Sequence, residues 1–285
     1  MDTVLRSRSN EVTIGSGRPF CIIGERINPT GRKVFQAQLQ KGDLSQIEID
    51  VAEQLGGANV LDVNVGDPLA DEVGLMGQAI PLVQGLTDLP LCIDSSIIEA
   101  LEAGLAAYDG KALVNSVTGE DERLQAILPI VARHGAAVIG LANDDEIRMD
   151  PKERVAIAKK IVSAAGDFGI PPEDIIIDPL AMPIGAEPRA VTSFIATLHL
   201  LQEELGVNTT CGASNTSFAM PNRHALGATF LAIAQSHGLT SAIMDARTPR
   251  CVDAVRATDL LLGRDEYGGA WISRWREQKA AAEAS

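Results

Sequence analysis

Seven short apolar runs along the chain end in an acid or an amide, and these end residues could bind a polar ligand. They are Glu25, Asp62 with Asn64, Asp94, Asn115, Asp178, Asn215 and Asp245. Carboxylates accept hydrogen bonds, whereas an asparagine amide both donates and accepts them. Such a set suits a flat heterocycle with an amide edge and an exocyclic amine. Asp178 could accept a ring N–H and an amine N–H together, and Asn115 could pair with a ring carbonyl and nitrogen.

Each of these aspartates also has a structural interpretation, because an Asp that follows a strand often caps the next helix. Pro179 would end the strand ladder and hold Asp178 at the strand mouth. The polar loop 24–31 could contain no more than an Arg–Glu ion pair. A cap is favoured at any single position, but several acids around one rim favour a bound ligand, since buried polar groups need partners.

The sequence lacks the signatures of several other kinds of catalytic or metal site. It contains no His-Glu-x-x-His, no phosphate-binding P-loop and no Gly-x-Ser-x-Gly. The four cysteines form no Cys-x-x-Cys pair and the four histidines are isolated. We therefore expect neither a disulfide framework nor a metal bound by the protein.

The apolar runs are typical of strands that are buried on both faces of a parallel sheet. Strands are predicted at 20–24, 59–63, 91–94, 112–115, 137–141, 175–178, 208–212 and 242–245. Helices are predicted at 45–55, 72–86, 97–107, 121–134, 152–168, 189–205, 222–237 and 250–262.

Eight such alternations favour a (β/α)8 TIM barrel, in which the carboxyl ends of the strands share the rim that carries an active site. An open doubly wound sheet is the alternative, since sequence does not show closure. We expect a single domain over residues 1–285, with the barrel core at about 20–262 and an extra C-terminal helix beyond Asp265.

Composition excludes some classes of partner. The net charge of −14 repels phosphate backbones, and an aromatic content of 4% offers few surfaces for base stacking, so no nucleic acid is expected. No apolar stretch approaches 18 residues, which predicts no membrane span. The first ten residues lack an apolar signal core, and a cytoplasmic location follows as the default.

Six short motifs occur in an order and spacing that together resemble a known family. They are Gly24-Glu25-Arg26-Ile27-Asn28, Leu61-Asp62-Val63-Asn64-Val65-Gly66, Leu91-Cys92-Ile93-Asp94-Ser95, Val114-Asn115-Ser116, Ile177-Asp178-Pro179 and Gly212-Ala213-Ser214-Asn215-Thr216-Ser217. The chain resembles the pterin-binding methyltransferases, which include methyltetrahydrofolate–corrinoid methyltransferases and the folate domain of cobalamin-dependent methionine synthase. The resemblance extends from about Ile22 to Leu262.

This resemblance implies a TIM barrel, a homodimer and a tetrahydrofolate pterin held at the C-terminal rim. By position, Asp94, Asn115 and Asp178 correspond to residues that bind the pterin edge. Asn215 corresponds to the catalytic residue that reaches N5, the methyl-bearing nitrogen. The supporting rim residues implied in the same way are Glu25, Asn28, Asp62, Asn64, Arg223 and Asp245.

The implied activity is methyl transfer between the cobalt of a corrinoid and N5 of tetrahydrofolate, and transfer from methylcorrinoid onto tetrahydrofolate is favoured. Tetrahydrofolate and 5-methyltetrahydrofolate are then substrates. The chain lacks the Asp-x-His-x-x-Gly signature of corrinoid domains, so a separate corrinoid protein is the expected partner. A zinc module for homocysteine is not found in this sequence either, so we do not expect a complete methionine synthase.

Two alternatives remain open at this point. Dihydropteroate synthase has the same fold, but where that family carries Ser-Arg-Lys this chain reads Ser214-Asn215-Thr216, which leaves a departing diphosphate with little cationic stabilisation. A folate-binding protein without catalysis is the other alternative, because fold does not establish function.

Overall fold

The apolar runs form the strands of a barrel in the computed structural model, which describes residues 1–284. In chain order the strands are β1 (Asp2–Arg6), β2 (Glu11–Gly15), β3 (Cys21–Ile27), β4 (Val60–Val63), β5 (Leu91–Asp94), β6 (Leu113–Val117), β7 (Ala137–Leu141), β8 (Ile175–Asp178), β9 (Asn208–Thr209) and β10 (Ser241–Met244). The helices are α1 (Lys33–Leu39), α2 (Ser45–Ala52), α3 (Glu72–Leu86), α4 (Ile98–Ala107), α5 (Asp121–His134), α6 (Pro151–Asp167), α7 (Ala190–Glu204), α8 (Arg223–Ser236), α9 (Pro249–Leu261) and α10 (Gly269–Ala284). The predicted extra C-terminal helix is confirmed as α10.

Eight parallel strands follow one another around the barrel in the order β10-β3-β4-β5-β6-β7-β8-β9. β9 pairs with β8 over only two residues, Asn208 and Thr209. The ring closes through a parallel bridge between Gly212 and Ile243, in which the Ile243 N–H donates to the Cys211 carbonyl at 2.9 Å. The barrel prediction is confirmed over the open sheet.

Side chains alternate between the barrel interior and the surrounding helices, as the two-residue period of a strand requires. On β3, Ile23 belongs to the interior cluster, whereas its neighbour Ile22 packs in the outer cluster with the helices. On β4, Val60 and Leu61 divide in the same way. Both faces are apolar, which explains why these strands read as continuous apolar runs.

A β-hairpin that the sequence analysis did not predict extends the interior cluster. β1 and β2 pair antiparallel, and Leu5 and Ile14 join the barrel interior cluster with no exposed surface. The Asn208 amide at the start of β9 donates to Thr3 Oγ1 and to the Ile14 carbonyl, both at 2.9 Å. Because β9 begins at the amino-terminal end of the barrel, the hairpin covers the barrel floor, opposite the rim.

Leu5→Ala is expected to lower the free energy of unfolding by about 2–5 kcal/mol, because it opens a cavity in a closely packed interior. Leu261→Ala is the matched control, since that side chain is 84% exposed and should change stability by less than about 0.5 kcal/mol. Urea unfolding followed by circular dichroism measures both. Equal midpoints for the two variants would contradict the role of the hairpin as a packed floor.

Among the described residues, no helix has both the length and the apolar character needed to cross a lipid bilayer.

Candidate active site

A cavity of about 500 Å³ opens at the carboxyl ends of the barrel strands. Eight of the ten predicted site residues line it together: Glu25, Asn28, Asp62, Asp94, Asn115, Asn215, Arg223 and Asp245. Asp62, Asp94 and Asn115 project from the neighbouring strands β4, β5 and β6. Glu25 projects from β3 and Arg223 begins α8, whereas Asn28, Asn215 and Asp245 lie in the segments that follow β3, β9 and β10. The barrel therefore gathers side chains that are up to 220 residues apart in sequence (Glu25 to Asp245).

The other two predicted residues lie outside the lining. The Asn64 amide donates to Asp94 Oδ2 at 2.9 Å, and Asn64 Oδ1 accepts from the Gly66 N–H at 2.8 Å. Asn64 is therefore placed to orient Asp94. Asp178 is 8% exposed, and its Oδ1 accepts from the Leu180 N–H at 2.7 Å.

Asp62 and Asp94 form a buried acid pair with unequal acidity. Burial raises the pKa of Asp62 well above its usual value, and the neighbouring Asp94 charge raises it further. Burial also raises the pKa of Asp94, to about 6, although hydrogen bonds from Asn64 and Asp62 oppose the rise. Of the two carboxyls, Asp62 is therefore the one that favours its protonated form, and Asp94 is the one we expect to be ionised at neutral pH. The Asn115 amide donates to Asp62 Oδ1 at 3.2 Å.

Asp178 is another buried acid, and its pKa lies near neutral pH. Burial raises its pKa to about 7, against the lowering effect of the Leu180 hydrogen bond and the Arg154 charge. Arg154 is itself fully buried, with Nε donating to the Arg148 carbonyl at 2.6 Å. The folded protein therefore binds a proton at Asp178 more tightly than the unfolded chain does.

Asp178→Asn is expected to stabilise the ligand-free protein by roughly 2–4 kcal/mol at pH 8, because ionising a buried carboxyl costs free energy that the amide avoids. Since the folded pKa is the raised one, the difference should shrink as the pH falls through about 7 and disappear near pH 4. Urea midpoints measured from pH 4 to pH 8 test this, with the exposed Asp145→Asn as control. A gain that did not depend on pH would contradict the assigned cause.

Asn215 lies in a 3-10 turn, Ala213–Asn215, directly after β9. A Cβ atom added at Gly212 would lie 3.0 Å from Asn215 Nδ2, so the glycine leaves room for the amide against the backbone. The neighbouring Ser214 hydroxyl donates to Glu25 Oε1 at 2.6 Å, and Arg223 donates to the Ser214 carbonyl at 3.1 Å. The turn is thus fixed on both sides. Burial raises the pKa of Glu25, although the Ser214 hydrogen bond opposes this.

Among the described residues, three of the four non-glycine residues with positive φ lie in the two loops beside this turn; the fourth is Tyr267. Leu180, Ala219 and Asn222 have positive φ angles of 66°, 58° and 50°. Each such residue costs of order 1–3 kcal/mol and persists only where its surroundings hold it. The Thr216 carbonyl accepts from the Ile184 N–H at 3.0 Å, which joins the two loops above the barrel. Strain of this kind is common at functional sites.

Sequence reasoning missed three arginines of the lining: Arg26, Arg32 and Arg247. Arg32 forms a bidentate pair with the buried Asp50 at 2.6 and 2.9 Å. Arg247 pairs with Asp245 and with Glu53, each at 2.8 Å. Burial raises the pKa of Asp245, but the hydrogen bonds and charge of Arg247 outweigh that effect and leave it below its usual value. Arg26 lies near the end of β3, and Arg32 and Arg247 closely follow β3 and β10, which is the signal that could have identified them.

Within residues 1–284, no three His, Cys, Asp or Glu side chains are grouped so that they could hold a metal ion.

Comparison with known proteins identifies relatives of this chain. Residues 24–245 match the model of the family described as pterin binding enzyme. The chain is 29% identical over 262 residues to the methylcorrinoid:tetrahydrofolate methyltransferase of Eubacterium limosum, covering 90% of this chain and 97% of that protein. It is also 32% identical over 244 residues to the methionine synthase of Mycobacterium leprae (strain TN). That match covers 79% of this chain and 20% of the methionine synthase, so the chain spans about a fifth of that relative.

Solved structures share the fold at lower identity. The 7,8-dihydropteroate synthase of Vibrio fischeri ES114 superposes with a TM-score of 0.67 at 17% identity, over 92% of this chain and 99% of that one. The dihydropteroate synthase of Xanthomonas albilineans in complex with 7,8-dihydropteroate gives 0.62 at 22% identity, over 88% and 95%. At these identities the superpositions establish a common architecture only.

Proposed function

The chain belongs to the pterin-binding enzymes, and on that basis we propose that it transfers a methyl group between the cobalt of a corrinoid protein and N5 of tetrahydrofolate. The observation that carries this proposal is the cavity in which Asp94, Asn115 and Asn215 face one space at the rim. Similarity to the Eubacterium limosum methyltransferase over nearly its whole length supports it. For the same reason we favour transfer onto tetrahydrofolate.

Two residues of the lining suit the hydrogen-bonding edge of a pterin. Asp94, ionised at neutral pH, would accept N–H bonds from the exocyclic amine and the ring, while the Asn115 amide would pair with the adjacent ring atoms. Asp178 is proposed as a third contact with this edge. The backbone of Gly212, which itself lines the cavity, is close enough to Asp178 to lower the pKa of that carboxyl.

Asn215 is proposed to act at N5. The corrinoid supplies or accepts the methyl group, which moves as a cation equivalent to or from the N5 lone pair. An amide side chain can turn to donate or accept, so Asn215 would serve N5 in either protonation state. Its hydrogen bond raises the rate only to the extent that it strengthens in the transition state. The remaining acceleration would come from positioning.

The alternative of dihydropteroate synthase has one observation in its favour. The cavity contains four arginines, so the expectation that the rim offers little to stabilise a leaving diphosphate is weakened. The similarity in sequence points to the methyltransferase instead, and we retain the synthase as an outcome to be tested.

The test follows corrinoid absorbance with methylcob(III)alamin plus tetrahydrofolate, and with cob(I)alamin plus 5-methyltetrahydrofolate. We expect methyl transfer in both directions. Folate binding without transfer, even with a methylated corrinoid protein as donor, would instead indicate a binding protein. Condensation of a dihydropterin diphosphate with 4-aminobenzoate would indicate a synthase. Absence of any folate binding would overturn the proposal.

We further propose that residues 1–285 form one pterin-binding unit, that it works as a homodimer and that it resides in the cytoplasm. The family resemblance supports the dimer, and size-exclusion chromatography with light scattering measures it. All four cysteines, Cys21, Cys92, Cys211 and Cys251, are buried and unpaired, as is usual for proteins of reducing compartments.

A further inference from the structure

Arg154 is a charged side chain that is buried in the first turn of helix α6, which follows strand β7. It has no exposed surface. Its Nε donates to the Arg148 carbonyl at 2.6 Å, and its Nη2 lies 3.4 Å from the Met149 sulfur. Its Nη1 is buried and has no hydrogen-bond partner within residues 1–284. The guanidinium is thus held by uncharged partners, and one of its nitrogens is left without any.

The charge of Arg154 is linked to that of Asp178. Burial lowers the pKa of Arg154, and the charge of Asp178 opposes this lowering. The effect is reciprocal, because the charge of Arg154 lowers the pKa of Asp178 against the burial of that carboxyl. Taking a charge out of water is costly, and charges buried in this way occur mainly where they are paired or where they tune a functional group.

The other groups that face Asp178 do not supply a positive charge. Cys211 lies in the segment after β9 and is fully buried. Burial and the charge of Asp178 raise the pKa of the Cys211 thiol well above its usual value, so the thiol stays neutral. The backbones of Leu180 and Gly212 also lower the pKa of Asp178, but as dipoles. Arg154 is therefore the side chain that favours the ionised form of Asp178.

We propose that Arg154 is a positioning residue that biases Asp178 toward the carboxylate form, which the pterin edge requires. The inference rests on the proposed function, in which Asp178 accepts N–H bonds from the pterin. With a pKa of about 7, Asp178 holds a proton in about half of the empty sites at neutral pH. When folate binds, the O–H bond of that carboxyl breaks and the proton passes to solvent. The carboxylate then accepts the N–H bonds of the ligand.

The first test needs no ligand. Carbon-13 NMR of the aspartate carboxyls gives the titration midpoint of Asp178, and Asp178→Asn identifies the signal. We expect a midpoint of about 7 in the unmodified protein and one roughly a pH unit higher in Arg154→Met, which fills the space without the charge. Arg154→Lys keeps a charge and should lie between the two. Arg256→Met is the matched control, because Arg256 donates to the Phe20 carbonyl at the opposite end of the barrel.

The second test counts protons released on binding. Titration calorimetry with 5-methyltetrahydrofolate at pH 7, in two buffers of different ionisation enthalpy, gives the number. Asp178 should release about half a proton in the unmodified protein and nearly one in Arg154→Met. Asp94, with its pKa of about 6, adds only about a tenth, which is all that Asp178→Asn should release.

The pH dependence of affinity separates this role from a structural one. Arg154→Met should bind folate about fivefold more weakly at pH 7 but within about twofold at pH 9, where Asp178 is ionised in both proteins. A structural role would weaken binding by one factor at both pH values, and that result would overturn the inference. Thermal melts identify a variant that fails to fold, in which case Arg154→Gln replaces Arg154→Met with the same expectations.

The outcomes also distinguish this inference from the proposed function. An Asp178 midpoint that is unchanged in Arg154→Met would overturn the role of Arg154 and leave the methyltransferase standing. So would an unmodified protein that binds folate and releases no more protons than Asp178→Asn does. Failure of the unmodified protein to bind folate would overturn the proposed function and this inference with it.

Discussion

Asn215→Ala is expected to lower the turnover number of methyl transfer by about a hundredfold or more, while folate affinity changes less than tenfold. Removing one hydrogen bond that is aimed at developing charge typically costs this much in rate. The turn that carries Asn215 is fixed by Ser214 and Arg223, so the substitution should leave the rest of the rim in place. Steady-state turnover and equilibrium folate binding, measured on the same preparation, give the two numbers.

Asn143→Ala is the matched control, because Asn143 follows β7 in the barrel but does not line the cavity. It should change turnover less than threefold. If Asn215→Ala retained turnover within threefold of the unmodified protein, Asn215 would not be the group that acts at N5. A loss of affinity as large as the loss of turnover would assign Asn215 to ground-state binding instead.

Replacing Asp62 or Asp94 by asparagine should weaken pterin binding to different extents. Asp94→Asn is expected to weaken pterin binding roughly a hundredfold, because it removes the charged acceptor of two N–H bonds. Asp62→Asn should weaken it less than tenfold, since burial and the Asp94 charge favour the protonated form of Asp62 and an amide N–H can still donate to Asp94. Calorimetric titration with 5-methyltetrahydrofolate at pH 7.5 compares the two variants.

The pH dependence of binding offers an independent check on the same pair. Affinity for the unmodified protein should fall as the pH drops through about 6, because a protonated Asp94 no longer accepts both N–H bonds. In Asp94→Asn the part of this decline near pH 6 should be absent, which leaves only the contribution of Asp178, whose pKa is about 7. Equal losses for Asp62→Asn and Asp94→Asn would mean that the proton is not held by Asp62.

The barrel was predictable because its strands are buried on both faces and therefore leave a continuous apolar signal. The predicted strand 208–212 is shortened to Asn208–Thr209, since Cys211 and Gly212 already lead into the turn that carries Asn215. The β1–β2 hairpin escaped prediction because only alternate residues of β1 are buried. Its apolar side chains, such as Leu5, pack against barrel interior residues that are distant in sequence. The local sequence does not reveal these contacts.

The site was predictable in residue type and less so in arrangement. Residues two apart on a strand point to the same side, but Asp62 lines the cavity whereas Asn64 turns to Asp94. That difference depends on the turn at Gly66, whose N–H donates to the side-chain oxygen Oδ1 of Asn64. The charges of loop 24–31 could be read as a local ion pair, yet Arg26, like the neighbouring Arg32, faces Asp50 of helix α2. Such pairing is decided by tertiary packing.

The barrel floor has a consequence for how the chain is made. The Thr3 hydroxyl donates to the Glu173 carbonyl, 170 residues further along the chain, and accepts from Asn208, 205 residues further along. At a synthesis rate of about 5–20 residues per second, the hairpin leaves the ribosome roughly 10 to 40 s before Asn208 exists. Its strands must stay free of wrong partners for that time, and the floor can close only after most of the barrel has been translated. We therefore expect docking of the hairpin to be among the last events of folding, and nascent chains that stop before β9 to remain open at the floor.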